Sequence, residues 1–161
     1  MRVIGAAVIG PRGLLLVAKR AAADIYYLPG GKPEAGEAPL DCLRREVFEE
    51  LGVEIETAEP FTEVHAPAAL EGVEMWMSVF LTRLTGTPQP AAEIAAMRWW
   101  PESGVRLAPA VRDHVIPRLR LGGLLSALPD HVRTDSARHT LVVEDAAGNT
   151  KKIRRTVDIP R

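Results

Sequence analysis

The chain has 161 residues, of which 47% are hydrophobic and 25% are charged, and its formal net charge is −1 at pH 7. These values suit one globular domain with a short appendage, and the near-neutral charge does not favour nucleic acid as a partner. A single cysteine excludes an intrachain disulfide and fits a reducing compartment. Since no apolar run reaches the roughly 18 residues of a membrane span, we expect a cytoplasmic protein without a membrane partner.

The first third of the chain predicts strands, a turn and one helix. Two aliphatic runs, residues 2–9 and 14–18, flank the turn-forming GPRG and predict a β-hairpin. Residues 26–28 predict a short strand that leads into a Gly-Gly turn. A helix is predicted over residues 39–51, because proline is accepted in a first helical turn and Gly52 supplies a stop.

The following part predicts further strands and a second helix. Residues 53–58 and 61–66 are strand-like. In residues 73–83, apolar side chains occupy both alternating faces, which predicts a central strand covered on both sides. A short strand over residues 97–100 and a helix over residues 108–121 complete the predicted domain.

The last part of the chain, residues 122–161, differs in character and is mildly basic. The segments HTLVVED and TKKIRRTVDI lie on either side of a Gly-Asn pair, and this pattern predicts a β-hairpin. We therefore expect a domain over residues 1–121 and a C-terminal extension that forms a β-hairpin arm. A homodimer completed by this arm is one hypothesis for its purpose.

The predicted helix over residues 39–51 carries an unusual set of acids. Glu49 and Glu50 follow Glu46 by three and four residues, so the three side chains share one helical face, where like charges repel. Convergent carboxylates suit hard divalent cations, and Mg²⁺ usually bridges such ligands to substrate phosphates. A solvated acidic face is the alternative for any single pair of these acids.

A longer pattern surrounds these glutamates. It reads Gly31, five residues, Glu37, seven residues, and then REVFEELGV to residue 53. This pattern resembles the Nudix box of the Nudix hydrolase family at every defined position. The resemblance implies the Nudix fold, an α/β (α+β) fold in which a mixed β-sheet is sandwiched between helices. It also implies hydrolysis of a nucleoside diphosphate linked to another group, with Mg²⁺ or Mn²⁺ as cofactor.

The resemblance further implies roles for individual residues. The metal ligands that it implies are Glu46, Glu49, Glu50 and the backbone carbonyl of Gly30. The supporting residues that it implies are Glu37, Arg45, Gly31 and Gly52. Of these, Glu37 supports the metal site, Arg45 orients the carboxylates, and the two glycines form a tight loop and a helix stop.

Catalysis also requires a general base, which takes a proton from the attacking water. In the family this base is a box glutamate or an acid from a later loop. Glu50 and Glu93 are the two candidates here, and both stay open. Glu93 precedes Trp99 by six residues, a spacing that resembles the MutT-like branch of the family. The catalytic set is therefore predicted to comprise Glu49, Glu50, Glu93 and Arg45.

The MutT-like branch, which hydrolyses nucleoside triphosphates to a monophosphate and pyrophosphate, is the subfamily that the chain resembles. Ala69 stands where the ADP-ribose type has a proline, and Leu70 and Glu71 stand where the dinucleoside polyphosphate type has a tyrosine. The strand LLLVAKR resembles the second strand of the branch, which makes Arg20, and then Lys19, candidate contacts for a nucleotide substrate. Alternative hypotheses are a nucleotide sugar, ADP-ribose or capped RNA hydrolase and a non-catalytic Nudix-fold binding module.

Three further side chains invite a functional interpretation, but a place in the core is the better prediction. Trp76 and Phe80 lie in the predicted central strand, where aromatic residues more often pack than stack on a nucleobase. Cys42 lies on the inner side of the box helix and is expected to be buried.

Overall fold

A computed structural model describes residues 1–125 and three strands at residues 132–135, 140–144 and 150–154. The chain divides into two compact units, Met1–Leu125 and Ser126–Arg161. The boundary predicted at residue 121 therefore lies just inside the first unit. Among the described residues, no helix is both long and apolar enough to cross a membrane.

Two β-sheets and two helical segments build the first unit. The strands are β1 (Arg2–Ala7), β2 (Ile9–Gly10), β3 (Gly13–Lys19), β4 (Gly30–Gly31), β5 (Ile55–Pro67), β6 (Glu74–Leu84) and β7 (Ile94–Trp100). The helices are α1 (Pro39–Leu51) and α2 (Ile116–Leu121), with a π-helical turn over Val111–Val115 and a 3₁₀ turn over Arg20–Ala22. One sheet has the order β4-β1-β6-β5, and the other has the order β2-β3-β7.

The first sheet is mixed, because β1 runs parallel to β6 while the other pairs are antiparallel. The predicted central strand is confirmed, since β6 lies between β1 and β5. Strand β5 is one continuous edge strand instead of the two predicted segments. Its ladder shifts register between Pro60 and Thr62, and an edge position accepts a proline that cannot donate to the ladder.

The predicted hairpin between residues 2–9 and 14–18 is wrong in its extent. β1 pairs with β4 and β6, and only the two residues of β2 pair with β3. The chain changes sheets at Val8, whose carbonyl accepts a hydrogen bond from the N–H of Leu15 at 2.9 Å. Both runs are apolar almost throughout, so their pattern contains no signal for this change.

Helix α1 covers the predicted residues. Gly52 ends it in the left-handed conformation, with φ of 65°, and donates its N–H to the carbonyl of Phe48 at 2.9 Å. Leu43, Val47 and Leu51 follow one another at intervals of four residues, and all three side chains are fully buried. The helix thus packs its apolar face on the sheets. Its residues Glu46 and Glu50 lie beside β4, an edge strand of the first sheet.

The core consists of two apolar clusters, one on each side of the sheets. Alternate residues of β3 supply both: Leu15 and Val17 pack in the cluster of α1, whereas Leu14 and Leu16 pack in the cluster that contains α2. This period of two is what a strand covered on both faces requires. The α/β/α sandwich implied by the sequence resemblance is confirmed.

The second unit contains three antiparallel strands, β8 (Val132–Asp135), β9 (Thr140–Glu144) and β10 (Thr150–Arg154), in the order β10-β9-β8. β9 and β10 pair as the predicted hairpin requires, with Thr150 opposite Glu144. The connecting Gly-Asn pair lies outside the described residues. Strand β8 was not predicted from the sequence, because it is only four residues long and its residues, VRTD, are largely polar.

Candidate functional site

Arg45 connects helix α1 to the loop that precedes it. Its Nε and Nη2 donate to the two carboxylate oxygens of Glu37, both at 2.9 Å, and its Nη1 donates to Oε1 of Glu46 at 2.8 Å. Nη1 also lies 3.5 Å from Oε2 of Glu49, and Nη2 donates to the carbonyl of Lys32 at 3.2 Å. A guanidinium with two parallel bonds to one carboxylate fixes geometry as well as charge. Arg45 therefore orients the loop acid Glu37 and two of the three box glutamates, Glu46 and Glu49.

The Glu37–Arg45 contact shifts the pKa of both partners. The hydrogen bonds from Arg45, with help from the backbone N–H of Glu34 at 2.8 Å, lower the pKa of Glu37 to about 2. The same bonds to Glu37, together with those to Glu46, raise the pKa of Arg45 above its ordinary value. Both groups thus remain charged across the physiological pH range.

Replacing Glu37 with glutamine should lower stability in a pH-dependent way. Because the folded pKa of Glu37 is about 2, below the ordinary value of 4.5, its contribution is complete above about pH 4.5 and disappears as the pH falls toward 2. The difference in unfolding free energy between wild type and Glu37→Gln should therefore shrink over this window. Urea denaturation at a series of pH values from neutral to acid measures it. A difference that stays constant with pH would contradict the assignment.

Glu50 is the buried member of the box glutamates, with 1% of its surface exposed. Its Oε2 accepts a hydrogen bond from the backbone N–H of Gly30 at 2.9 Å, which connects α1 to β4. Its Oε1 lies 3.3 Å from Nζ of Lys19 but accepts no hydrogen bond within the described residues. The ammonium is within ion-pair distance but is not aligned for a hydrogen bond, so the contact is an ion pair. Nζ instead donates to Oε1 of Glu93 at 2.8 Å.

Among the influences on the pKa of Glu50, burial is the largest. It raises the pKa of Glu50 to about 7, although the charge of Lys19 and the N–H of Gly30 act in the opposite direction. Burial also acts to lower the pKa of Lys19, but its hydrogen bond to Glu93 and the charge of Glu50 outweigh that effect and raise it. This end of the site therefore contains the buried carboxylate of Glu50, one oxygen of which accepts no hydrogen bond, and the charged Lys19 beside it.

Two consecutive glycines line the approach to these carboxylates. Gly30 has φ of 139°, and a Cβ there would lie 2.0 Å from the carbonyl oxygen of Ile4. At Gly31, a Cβ would lie 2.4 Å from Cδ of Glu46. Since real Cβ atoms do not approach other atoms so closely, only glycine fits beside Ile4 and Glu46 without movement.

The three box glutamates do not meet at one point. In the described part of the chain, no three acidic, histidine or cysteine side chains come close enough together to hold a metal ion. The reason is Arg45, which lies beside Glu46 and Glu49, whereas Glu50 faces Lys19. The donor set still fits a hard cation, because Glu50 has a buried oxygen without a donor and carboxylate oxygens are the ligands that Mg²⁺ prefers.

A cavity of about 380 Å³ opens beside these residues. The charged side chains in its wall are Lys19, Lys32, Glu46, Glu71 and Glu93. Its apolar wall includes Met1, Met75, Met77, Leu70 and Val111. Such a volume and such a division between charged and apolar surface are typical of a small-molecule site.

The structure places the two candidate substrate contacts differently. Within residues 1–125, the cavity wall includes Lys19 but not Arg20. Arg20 contributes through its backbone, since its N–H donates to the carbonyl of Glu93 at 2.8 Å. Gly52 lies at the far end of α1 and acts only on the helix terminus.

Three polar residues of the cavity wall, Tyr27, Lys32 and Glu71, were not predicted from the sequence. Lys32 and Glu71 form an ion pair at 3.0 Å between two loops that are far apart in sequence. The hydroxyl of Tyr27 is buried and has no hydrogen-bond partner among the described residues. The only available signal was that Tyr27 and Lys32 lie on either side of the Gly-Gly turn.

The two aromatic side chains of β6, Phe80 and Trp76, differ in burial. Phe80 and Cys42 are buried as predicted. The core prediction for Trp76 is wrong, because this side chain is 52% exposed and stacks on His65 with ring centroids 4.3 Å apart. Trp76 lies on β6 opposite Arg2, the first residue of β1. The buried part of the sheet ends at this pair of residues.

The sandwich, the box helix and the cavity beside it together define a protein of the Nudix fold. The NUDIX domain family matches residues 1–119, and the chain belongs to this family of hydrolases. The sequence-based recognition of the box is therefore confirmed.

Individual relatives support the same assignment. The human 8-oxo-dGDP phosphatase NUDT18 is 34% identical over 116 residues, which are 66% of this chain but only 32% of that protein. A MutT-like protein of Streptomyces ambofaciens is 28% identical over 139 residues, which are 86% of this chain and 85% of that protein. A solved structure of a Nudix hydrolase family member from Chromobacterium violaceum is 28% identical, with a TM-score of 0.63 over 78% of this chain and 82% of that one. The predicted likeness to MutT-like proteins is thus confirmed.

Proposed function

We propose that the protein hydrolyses a nucleoside triphosphate, ordinary or oxidised, to the monophosphate and pyrophosphate with the help of Mg²⁺ or Mn²⁺. The observation that carries this proposal is the cavity, in which Lys19, Lys32 and Glu46 line the same space as an apolar wall. A nucleotide has the same division, with a charged phosphate chain at one end and a flat, largely apolar base at the other. The cavity matches both ends at once.

The residues of the box have separate tasks in this proposal. The oxygens that would hold the metal belong to Glu46, Glu49, Glu50 and the carbonyl of Gly30. When bound, a divalent ion neutralises phosphate oxygens and makes a bound water more acidic. Arg45 keeps Glu46 and Glu37 in fixed orientation, and the ammonium of Lys19 supplies positive charge for a phosphate. Arg20 remains a proposed contact for a part of the nucleotide that extends beyond the cavity.

Two acids are placed to accept the proton of the attacking water. Glu50 has a free carboxylate oxygen, but its side chain is almost fully buried. The side chain of Glu93 is 57% exposed, lines the cavity and is held by Lys19 at 2.8 Å. Both stay candidates, because each lies beside the same lysine at the charged end of the cavity.

A substrate panel tests the proposal. It comprises ordinary and oxidised triphosphates, ADP-ribose, a nucleotide sugar, a dinucleoside polyphosphate and a capped RNA, each with Mg²⁺. We expect the triphosphates to be the best substrates and to release pyrophosphate, since the cavity wall offers Lys19 and Lys32 to a phosphate chain and Glu46 to a bridging metal ion. Turnover restricted to one of the other compounds would support the corresponding rival hydrolase, and turnover of none would favour a ligand-binding module.

A second candidate substrate is a nucleoside diphosphate. The human relative is named an 8-oxo-dGDP phosphatase, and its match covers most of the first unit of this chain. Hydrolysis of a diphosphate yields the monophosphate and inorganic phosphate. The two candidates are separated by adding the matching diphosphate to the panel and quantifying phosphate and pyrophosphate in parallel.

We further propose that the second unit completes a homodimer. Its three strands form a small sheet of their own, and a sheet of three strands needs an apolar face or a surface to pack on in order to be stable. Deleting the second unit, residues 126–161, should lower the molar mass of the assembly, measured by light scattering, or its solubility. An unchanged mass and solubility would count against the proposal.

A further inference from the structure

Lys19 occupies an unusual position for a residue at the end of a strand. Its Nζ lies 2.8 Å from Oε1 of Glu93 and 3.3 Å from Oε1 of Glu50. Only a quarter of its side chain is exposed, and Glu50 is almost completely buried. One ammonium group is therefore shared between two acids, one of which is expected to be a metal ligand.

The two contacts of this ammonium differ in kind. Toward Glu93, Lys19 makes a directed hydrogen bond, whereas toward Glu50 it supplies charge without a hydrogen bond. Lysine is a point charge on a flexible stem, so it can leave one acid without losing the other. Oε1 of Glu50 accepts no hydrogen bond, but it is buried beside the ammonium, so a cation could reach its lone pairs only after a neighbouring group moves aside.

We propose that Lys19 is an internal counter-ion of the metal site, which neutralises Glu50 when no metal is bound and withdraws toward Glu93 when a divalent cation binds. The proposal rests on the proposed function only in taking Glu50 as a metal ligand. Two consequences follow. Lys19 weakens the affinity for the free cation, and it keeps the buried carboxylate compensated in the metal-free protein.

Lys32 provides a matched control for this role. It lies in the wall of the same cavity and carries the same charge, but its ammonium pairs with Glu71 at 3.0 Å. Its contact with the box is made by its backbone carbonyl, which accepts from Arg45 and survives a change of side chain. A general effect of positive charge in the cavity would therefore appear in both lysine variants, whereas the proposed role belongs to Lys19 alone.

The test measures Mn²⁺ binding without nucleotide, from the electron paramagnetic resonance signal of the free ion, in wild type, Lys19→Met, Lys19→Arg and Lys32→Met at pH 8.5. We expect Lys19→Met to bind Mn²⁺ at least about tenfold more tightly than wild type, because a like charge at about 4 Å costs more than this even at an effective dielectric constant of 20. Lys19→Arg keeps the charge and should stay within about threefold of wild type. Lys32→Met should stay in the same range, because the side chain of Lys32 is more than half exposed and its charge is screened by solvent and by Glu71. Equal or weaker binding by Lys19→Met, or no binding by either protein, would overturn the proposal.

Wild type alone supplies a second measurement, in case Lys19→Met does not fold. A crystal structure with Mg²⁺ should show Nζ of Lys19 displaced from Glu50 and still close to Glu93 or to solvent. An ion bound to Glu50 with the ammonium still at its present 3.3 Å would overturn the proposal. Neither measurement uses a nucleotide, so failure of the triphosphate proposal in the substrate panel would leave this result unaffected, and the reverse also holds.

Discussion

Glu50→Gln should lower kcat by about 100-fold or more while the fold remains intact, because loss of a metal ligand removes several kcal/mol of transition-state stabilisation. The substitution changes the charge but little of the shape. A glutamine oxygen can still accept the hydrogen bond that Gly30 donates at 2.9 Å. Since a neutral amide is cheaper to bury than a carboxylate, we expect the unfolding midpoint in urea to change little.

Asp41→Asn is the control for this variant. Asp41 lies in the first turn of the same helix, but its side chain is largely exposed and its partner is Arg44 at 3.4 Å. The control removes the same charge from the same helix at a distance from the cavity. We expect its kcat to stay within about twofold of wild type, since an exposed ion pair contributes little. Equal activity of Glu50→Gln and Asp41→Asn would show that Glu50 is not needed for the reaction.

Gly30→Ala should destabilise the first unit by roughly 2–4 kcal/mol, because it adds a steric conflict to an unfavourable backbone conformation. The backbone at Gly30 has φ of 139°, and the new Cβ would lie 2.0 Å from the carbonyl oxygen of Ile4. The atom that it meets is backbone of the neighbouring strand β1, which cannot move aside without breaking its pairing with β4. Urea denaturation of wild type and variant measures the loss.

Gly36→Ala separates the two causes of this loss. Gly36 also has a positive φ, of 76°, but a Cβ there would meet no atom within 4 Å. Its cost should therefore be limited to the backbone term, about 1–2 kcal/mol. If the two variants lost the same unfolding free energy, the close approach of β4 to β1 would contribute nothing to the cost of Gly30→Ala.

Much of the fold could be predicted where the signals are local. Helix α1 begins and ends as expected, because Pro39 and Gly52 mark its ends and Leu43 and Val47 mark its inner face. The change of sheets at Val8 and the continuity of β5 through Pro60 could not be predicted, since each depends on which strand lies alongside. Trp76 was misplaced for the same reason, because its alternation pattern does not show where the cover of α1 ends.

The residues of the candidate site were likewise predictable only where the signal is local in sequence. The box supplied Glu46, Glu49, Glu50, Glu37 and Arg45 as a set, because their spacing is fixed along one helix and one loop. The resemblance implied that Arg45 orients the carboxylates, whereas the contact of Glu50 with Lys19, which joins α1 to the end of β3, could not be foreseen. The pair formed by Lys32 and Glu71 was also missed, because two loops meet there only in the folded chain.

The most direct test of the central proposal is ³¹P NMR of one nucleoside triphosphate incubated with the intact protein, with Mg²⁺ and again after chelation by EDTA. We expect the three triphosphate resonances to be replaced by those of the monophosphate and pyrophosphate, and the conversion to stop when the metal is removed. Formation of a diphosphate and inorganic phosphate, or conversion at the same rate in EDTA, would contradict a metal-dependent pyrophosphohydrolase.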